Sequence, residues 1–282
     1  MNVLWIADFG VKHNIGGAQR TDSFVIQKGL ENGYDIKLFN YDSGSESLNH
    51  NYDIVVSSNL ETLCRRQDVF NFILNHKNHF RYEHDSNSYL TPEARRMLFG
   101  STRKNIFLSE FHYKTFVYLY GDIFNNFEIV SPYIDESKFY DSGQEREDKI
   151  LSVGYMHFFK GTNNFFNEVL SNPDKQFVFA GWGDKRLERT MKSFSNVEFL
   201  GKVSHNDMPK LYNKYTTLYY HPDKFEPFCR AVGEAMFCGI KTDCSNNIGA
   251  VYDFNSIGIE KMKENSRHSL EKFWDIINQN KI

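Results

Sequence analysis

Four cysteines, six prolines and three tryptophans are sparse for 282 residues, and each scarcity excludes something. Cys64, Cys229, Cys238 and Cys244 form no Cys-x-x-Cys pair and no zinc-type spacing with histidines. A disulfide scaffold and a structural zinc module are therefore excluded, and reduced thiols are expected. No uninterrupted apolar run approaches the ~20 residues needed to span a bilayer. The opening Met1-Asn2-Val3-Leu4-Trp5-Ile6-Ala7-Asp8 reads as a strand meeting a charge, not as a basic leader. A soluble, cytoplasmic protein is expected. Net charge is only −3, which gives no global attraction to nucleic acid or anionic membrane. There is no Asp-x-Asp and no cluster of carboxylates and histidines with ligand spacing, so metal-independent chemistry is expected.

What is present is an ordinary globular composition, 40% apolar and 24% charged, in a chain long enough for two domains. Charge is unevenly shared. Residues 1–145 hold 14 Lys+Arg against 19 Asp+Glu, and the remainder 19 against 17. Short apolar runs predict strands near 2–7, 34–39, 53–57, 79–83, 105–108 and 127–131, then 149–153, 175–180, 196–200, 216–220 and 240–243. Helical patterns fall near 17–32, 61–76, 91–99, 109–120, 161–170, 184–194, 205–214, 227–238 and 266–279. Alternation of this kind predicts parallel sheets covered by helices, hence two Rossmann-like α/β domains with ligand-binding strand ends facing a cleft. The polar stretch 140–148 reads as the linker. That gives domains 1–144 and 145–262, followed by a C-terminal helix within 263–282.

Two segments carry most of the chemistry. Residues 226–239 put Glu226 before a predicted helix and Glu234 eight residues on, with Pro227 at the expected first helical position. The N–H groups of Phe228, Cys229 and Arg230 would then form an anion site, suited to a diphosphate. Earlier, Val153-Gly154-Tyr155-Met156-His157-Phe158-Phe159-Lys160-Gly161 reads as a strand, an elbow and a lysine opening a helix. A cation at a helix N-terminus opposes the helix dipole, and a bound phosphate resolves that conflict. Gly16-Gly17, in a loop opened by Gly10 and holding His13 and Asn14, allows close backbone approach to a ligand or makes a plain strand-to-helix turn. His84, in Glu83-His84-Asp85, reads equally as a ligand contact or a structural histidine.

Together these segments resemble the donor-site motifs of family 4 glycosyltransferases, retaining enzymes of the GT-B fold. The resemblance lies in Glu226-x7-Glu234 with Ala235-Met236-x-x-Gly239, and in Gly154-x5-Lys160-Gly161. Gly16-Gly17-Ala18, Glu83-His84-Asp85, Pro132-Tyr133-Ile134-Asp135 with Phe139, and Gly181-Trp182-Gly183 follow in the family's order. The resemblance implies that Gly154, Tyr155, Lys160, Gly161, Gly181, Phe228, Cys229, Arg230 and Glu234, with Gly16 and Gly17, bind a nucleotide-diphosphate sugar. It further implies that Lys160 meets the diphosphate, Glu234 the ribose hydroxyls, and Glu226 and His84 the transferred sugar. It implies that the last helix braces the first domain. Tyr155 stands where the family usually carries an arginine, and Arg230 is the expected replacement for that charge. Residues 239–250 depart from the family's glycine pair.

The function so implied is transfer of a hexose from a nucleotide donor, UDP-sugar favoured over GDP-sugar, to an acceptor hydroxyl with retention and without other cofactors. The alternative is a non-catalytic nucleotide-sugar-binding module. Arg95, Arg96, Arg103 and Lys104 form the only basic concentration in an acidic first half, either a solvated surface or a docking patch. As a patch it predicts an anionic acceptor, a nucleic acid with a modified base or an acidic glycan.

Overall fold

The computed structural model describes residues 1–8, 16–86, 89–124 and 126–282. The chain divides into two compact units, one of Met1–Tyr133 with Glu264–Ile282 and one of Ile134–Lys263.

The first unit alternates β1 (Asn2–Ile6), α1 (Gly17–Glu31), β2 (Asp35–Phe39), β3 (Ile54–Ser57), α2 (Gln67–Asn75), β4 (His79–Tyr82), α3 (Pro92–Gly100), β5 (Lys104–Phe107), α4 (Glu110–Tyr120) and β6 (Phe127–Ile129). The strands form one parallel sheet in the order β2-β1-β3-β4-β5-β6. β3 and β4 are buried at every position, as strands covered on both faces must be. Local signals set the helix starts. Thr91 accepts the Ala94 N–H with Pro92 at the first position of α3, and Ser109 accepts the His112 N–H at α4. The strand order reverses between β1 and β3, the place where such sheets open a crevice.

The second unit runs β7 (Glu147–Met156), α5 (Thr162–Ser171), β8 (Phe177–Gly183), α6 (Lys185–Ser193), β9 (Val197–Gly201), α7 (Met208–Lys214), β10 (Tyr215–Tyr220), α8 (Arg230–Phe237), β11 (Lys241–Cys244) and α9 (Gly249–Arg267). Its sheet is also parallel, ordered β11-β10-β7-β8-β9, with the reversal between β7 and β10. α10 (Ser269–Asn280) belongs to the first unit. Its Trp274 indole N–H donates to the Val25 carbonyl at 2.9 Å, and Glu271 pairs with Lys28 at 2.9 Å. Among the described residues no helix is long and apolar enough to cross a membrane.

Three features differ from the sequence reading. Residues 140–148 are not a linker: Ser142 binds Asn213, and Arg146 donates to the Tyr212 and Cys238 carbonyls, so this polar stretch is tied into the second unit. α8 starts at Arg230 rather than Pro227, because Cys229 caps it in a left-handed conformation (φ 65°, ψ 85°). α9 is an additional helix, interrupted at Gly258 (φ 74°, ψ 167°).

Candidate functional site

At the reversal point of the second sheet, β7 ends in an elbow that turns into α5. Gly161 caps α5 with φ 78°, and a Cβ on it would lie 2.1 Å from the His221 carbonyl oxygen. Only glycine lets the elbow rest against the end of β10. Gly181 in β8 likewise lies against Gly154, whose carbonyl a Cβ would meet at 1.9 Å. The Thr162 hydroxyl closes the turn, accepting the His157 N–H and donating to the His157 carbonyl.

This packing brings Lys160 to Glu226. Lys160 Nζ lies 2.7 Å from Glu226 Oε1, with the lysine side chain 46% exposed and the glutamate 13%. The Tyr220 hydroxyl donates to the same oxygen at 3.1 Å. The Glu226 backbone is fixed as well, its N–H donating to Asn247 O and its carbonyl accepting the Gly249 N–H. Tyr155 is 49% exposed, edge-on to Trp182 at 6.1 Å.

α8 presents a second carboxylate. Glu234 is buried, and its Oε1 accepts from Arg230 Nη2 and lies by His205 Nε2, each at 3.0 Å. Burial pushes the carboxyl up, but Arg230 and His205 outweigh it and hold it below the usual range. Arg230, expected to supply phosphate charge, is thus turned to Glu234, one helical turn on. Phe228 is buried against Gly233. Cys229 is the one non-glycine with positive φ among the described residues, and its carbonyl accepts the Val232 and Gly233 N–H groups. Burial and the nearby Glu226 push its thiol up.

In the first unit, Gly16 and Gly17 open α1, and the Gly16 N–H donates to Gln19 Oε1. Gly10, His13 and Asn14 lie outside the described residues. Beside the reversal point, Asp8 accepts the Thr62 and Leu63 N–H groups, and burial raises its carboxyl. His84 follows β4 with Nε2 2.9 Å from Asp22 Oδ1. Arg81 and Glu83 form an ion pair at 2.8 Å with both side chains fully buried.

The basic cluster is not a surface patch. Arg95 is buried, donates to the Leu90 carbonyl and stacks on Tyr120 at 3.7 Å. Arg103 donates to the Asn280 carbonyl and Lys104 lies 3.7 Å from Glu128, leaving Arg96 as the exposed member. Sequence reasoning also missed His205, Asp22 and Arg81, whose partners are distant in the chain or, for Arg81, hidden inside a strand. Among the described residues no group of three or more His, Cys, Asp or Glu is placed to hold a metal ion.

The two parallel-sheet, Rossmann-like units together match solved glycosyltransferase structures over 99% of the chain. The fold is GT-B. Anabaena Alr3699/HepE in complex with UDP-glucose superposes with a TM-score of 0.71 at 15% identity, covering 99% of this chain and 93% of that one. Sucrose-phosphate synthase from Thermosynechococcus elongatus gives 0.70 at 11% identity, covering 99% and 96%. The catalytic domain of starch synthase IV from Arabidopsis thaliana, bound to ADP and acarbose, gives 0.61 at 10% identity, covering 99% and 99%. Residues 135–256 match the family model described as Glycosyl transferases group 1, a span that includes Lys160, Glu226 and Glu234. No curated protein matches the chain.

Proposed function

We propose that this protein is a retaining, family 4-like glycosyltransferase that moves a hexose from a nucleotide-diphosphate sugar to an acceptor hydroxyl. The observation that carries this reading is the contact of Lys160 with Glu226 at the reversal point of the second sheet. A half-exposed ammonium at a helix start, held by a carboxylate, is suited to exchange that partner for a diphosphate. Glu226, released, accepts hydroxyl groups of the sugar. Glu234, kept ionised by Arg230 and His205, accepts the ribose hydroxyls. His84 contacts the transferred sugar from the first unit.

In the reaction the anomeric carbon–oxygen bond to the diphosphate breaks as the bond to the acceptor oxygen forms on the same face. The departing phosphate oxygen takes the acceptor proton. Lys160 stabilises the charge that develops on the leaving group, and the proposed reaction uses no metal. A UDP-sugar is favoured, supported by the UDP-glucose complex of HepE, while starch synthase IV bound to ADP marks how far the base varies on this fold. A cytoplasmic location is part of the same proposal.

A second reading, a non-catalytic nucleotide-sugar-binding module, is favoured by two observations. Tyr155 replaces a phosphate-binding arginine, and Arg230 is engaged with Glu234. Proton NMR of UDP-glucose incubated with the protein separates the two. Slow release of UDP with α-glucose appearing first supports the retaining enzyme. β-Glucose first would contradict retention, and no release from any nucleotide sugar despite binding would support the module.

A further inference from the structure

We propose that Asp22 is a positioning residue. Its carboxylate fixes the His84 ring in the tautomer protonated at Nε2, so that Nδ1 is offered as a hydrogen-bond acceptor to a hydroxyl of the transferred sugar. The proposal rests on the reading of His84 as a sugar contact and adds the group that makes that contact directional.

The geometry is over-determined. Asp22, on the second turn of α1, meets His84 Nε2 at 2.9 Å through Oδ1, and the Ser58 hydroxyl donates to its Oδ2 at 2.6 Å. Both the Asp22 and His84 side chains are almost fully buried. A carboxylate only accepts, so Nε2 must carry the hydrogen. The His84 main chain is held as well. The His84 N–H donates to Glu83 Oε1, and Glu83 is clamped by Arg81 at 2.8 and 3.0 Å. Arg81 in turn donates to the Ser58 carbonyl, and the Tyr82 ring lies 4.5 Å from the imidazole.

The second, independent observation is at the opposite ring atom. His84 Nδ1 is buried without a hydrogen-bond partner among the described residues. Buried polar atoms are nearly always paired, and an orphan at a strand end calls for a ligand group. In the neutral ring with Nε2–H committed to Asp22, Nδ1 bears a lone pair, and the chemistry that satisfies it is a hydroxyl donor. His79 is the internal contrast. Its Nδ1 is also without a partner among the described residues, but its Nε2 meets the Ser57 hydroxyl and it lies within β4, where no charge dictates a tautomer.

Long-range proton–nitrogen NMR on the histidine-labelled wild-type protein reads the tautomer directly. The hydrogen is expected on Nε2 of His84; a neutral ring protonated at Nδ1 overturns the proposal without reference to activity. Kinetics supply the second arm, using release of sugar from UDP-glucose. Asp22→Asn is expected to lower turnover about tenfold, with donor KM within about twofold and the unfolding transition retained. In a His84→Ala background the same substitution is expected to cost nothing further, because Asp22 acts through His84. Equal losses in both backgrounds would show a general structural role and sink the proposal. Should the wild-type protein act on no nucleotide sugar, the proposed function fails, and the tautomer still decides this inference.

Discussion

The two units both place polar residues near the ends of strands and use them differently. In the first, Arg81 and Glu83 are fully buried partners, and Asp22, Ser58 and His84 bond one another. In the second, Lys160 is half exposed and its partner Glu226 reaches solvent. Closed networks of the first kind hold a geometry, because breaking one leaves a desolvated charge. Open pairs of the second kind contribute little to stability and exchange readily for a ligand. The difference implies that breaking the Arg81–Glu83 pair is read out as folding and breaking the Lys160–Glu226 pair as chemistry.

Arg81→Met tests the closed side most severely. It strands Glu83 as an unpaired buried carboxylate, at a cost of about 3–5 kcal/mol in urea unfolding. A loss under about 1 kcal/mol would place this pair with the open ones. On the open side, Lys160→Ala is expected to lower turnover by roughly 10²–10³, or about 3–4 kcal/mol of transition-state stabilisation. Its unfolding free energy should change by less than about 1 kcal/mol. Equal damage to folding and turnover would erase the distinction.

Acid separates the units further. His79 and His112 are buried in the first unit, and desolvation holds both rings below the usual 6.5, His112 at about 3. Below pH 6.5 the unfolded chain binds protons that these rings refuse, so stability falls as pH falls. At pH 5 the loss is about 2 kcal/mol for His112, with His79 acting in the same direction. Glu234 acts in the same sense but at lower pH, its depressed carboxyl contributing stability above 4.5 that is lost only as pH drops through its folded value. Hydrogen exchange at pH 5 should therefore quicken in the first unit before the second; simultaneous loss would contradict this. The smallest effect expected is for Arg96→Ser, within about 0.5 kcal/mol in stability. Steady-state kinetics should show acceptor KM unmoved, whereas a marked rise would restore the basic patch.

The eleven strands among the described residues were legible in the sequence because most are short apolar runs bounded by turn residues, although β11 is largely polar, and their alternation with helices led to parallel sheets. α9 was not, since Gly258 interrupts its apolar spacing and its second half is rich in Lys and Glu. The start of α8 was misread because Pro227 is a good first helical residue, while the decisive left-handed Cys229 has no composition signal. In the site, the Gly154–Gly161 elbow and the two glutamates were visible as spaced motifs. The pairing of Arg230 and His205 with Glu234, and of Asp22 with His84, depends on contacts up to 62 residues apart. Arg95 looked like surface charge because only the fold brings Tyr120 over it.

Calorimetric titration of UDP into the wild-type protein, Lys160→Ala and Glu234→Ala tests most directly that the second unit holds the nucleotide through half-exposed Lys160 and buried Glu234. Wild-type binding should weaken at least tenfold in each variant, since a charged hydrogen bond is worth roughly 1.5–3 kcal/mol. Undiminished affinity in both variants, or no binding of UDP, GDP or ADP to the wild-type protein, would contradict it.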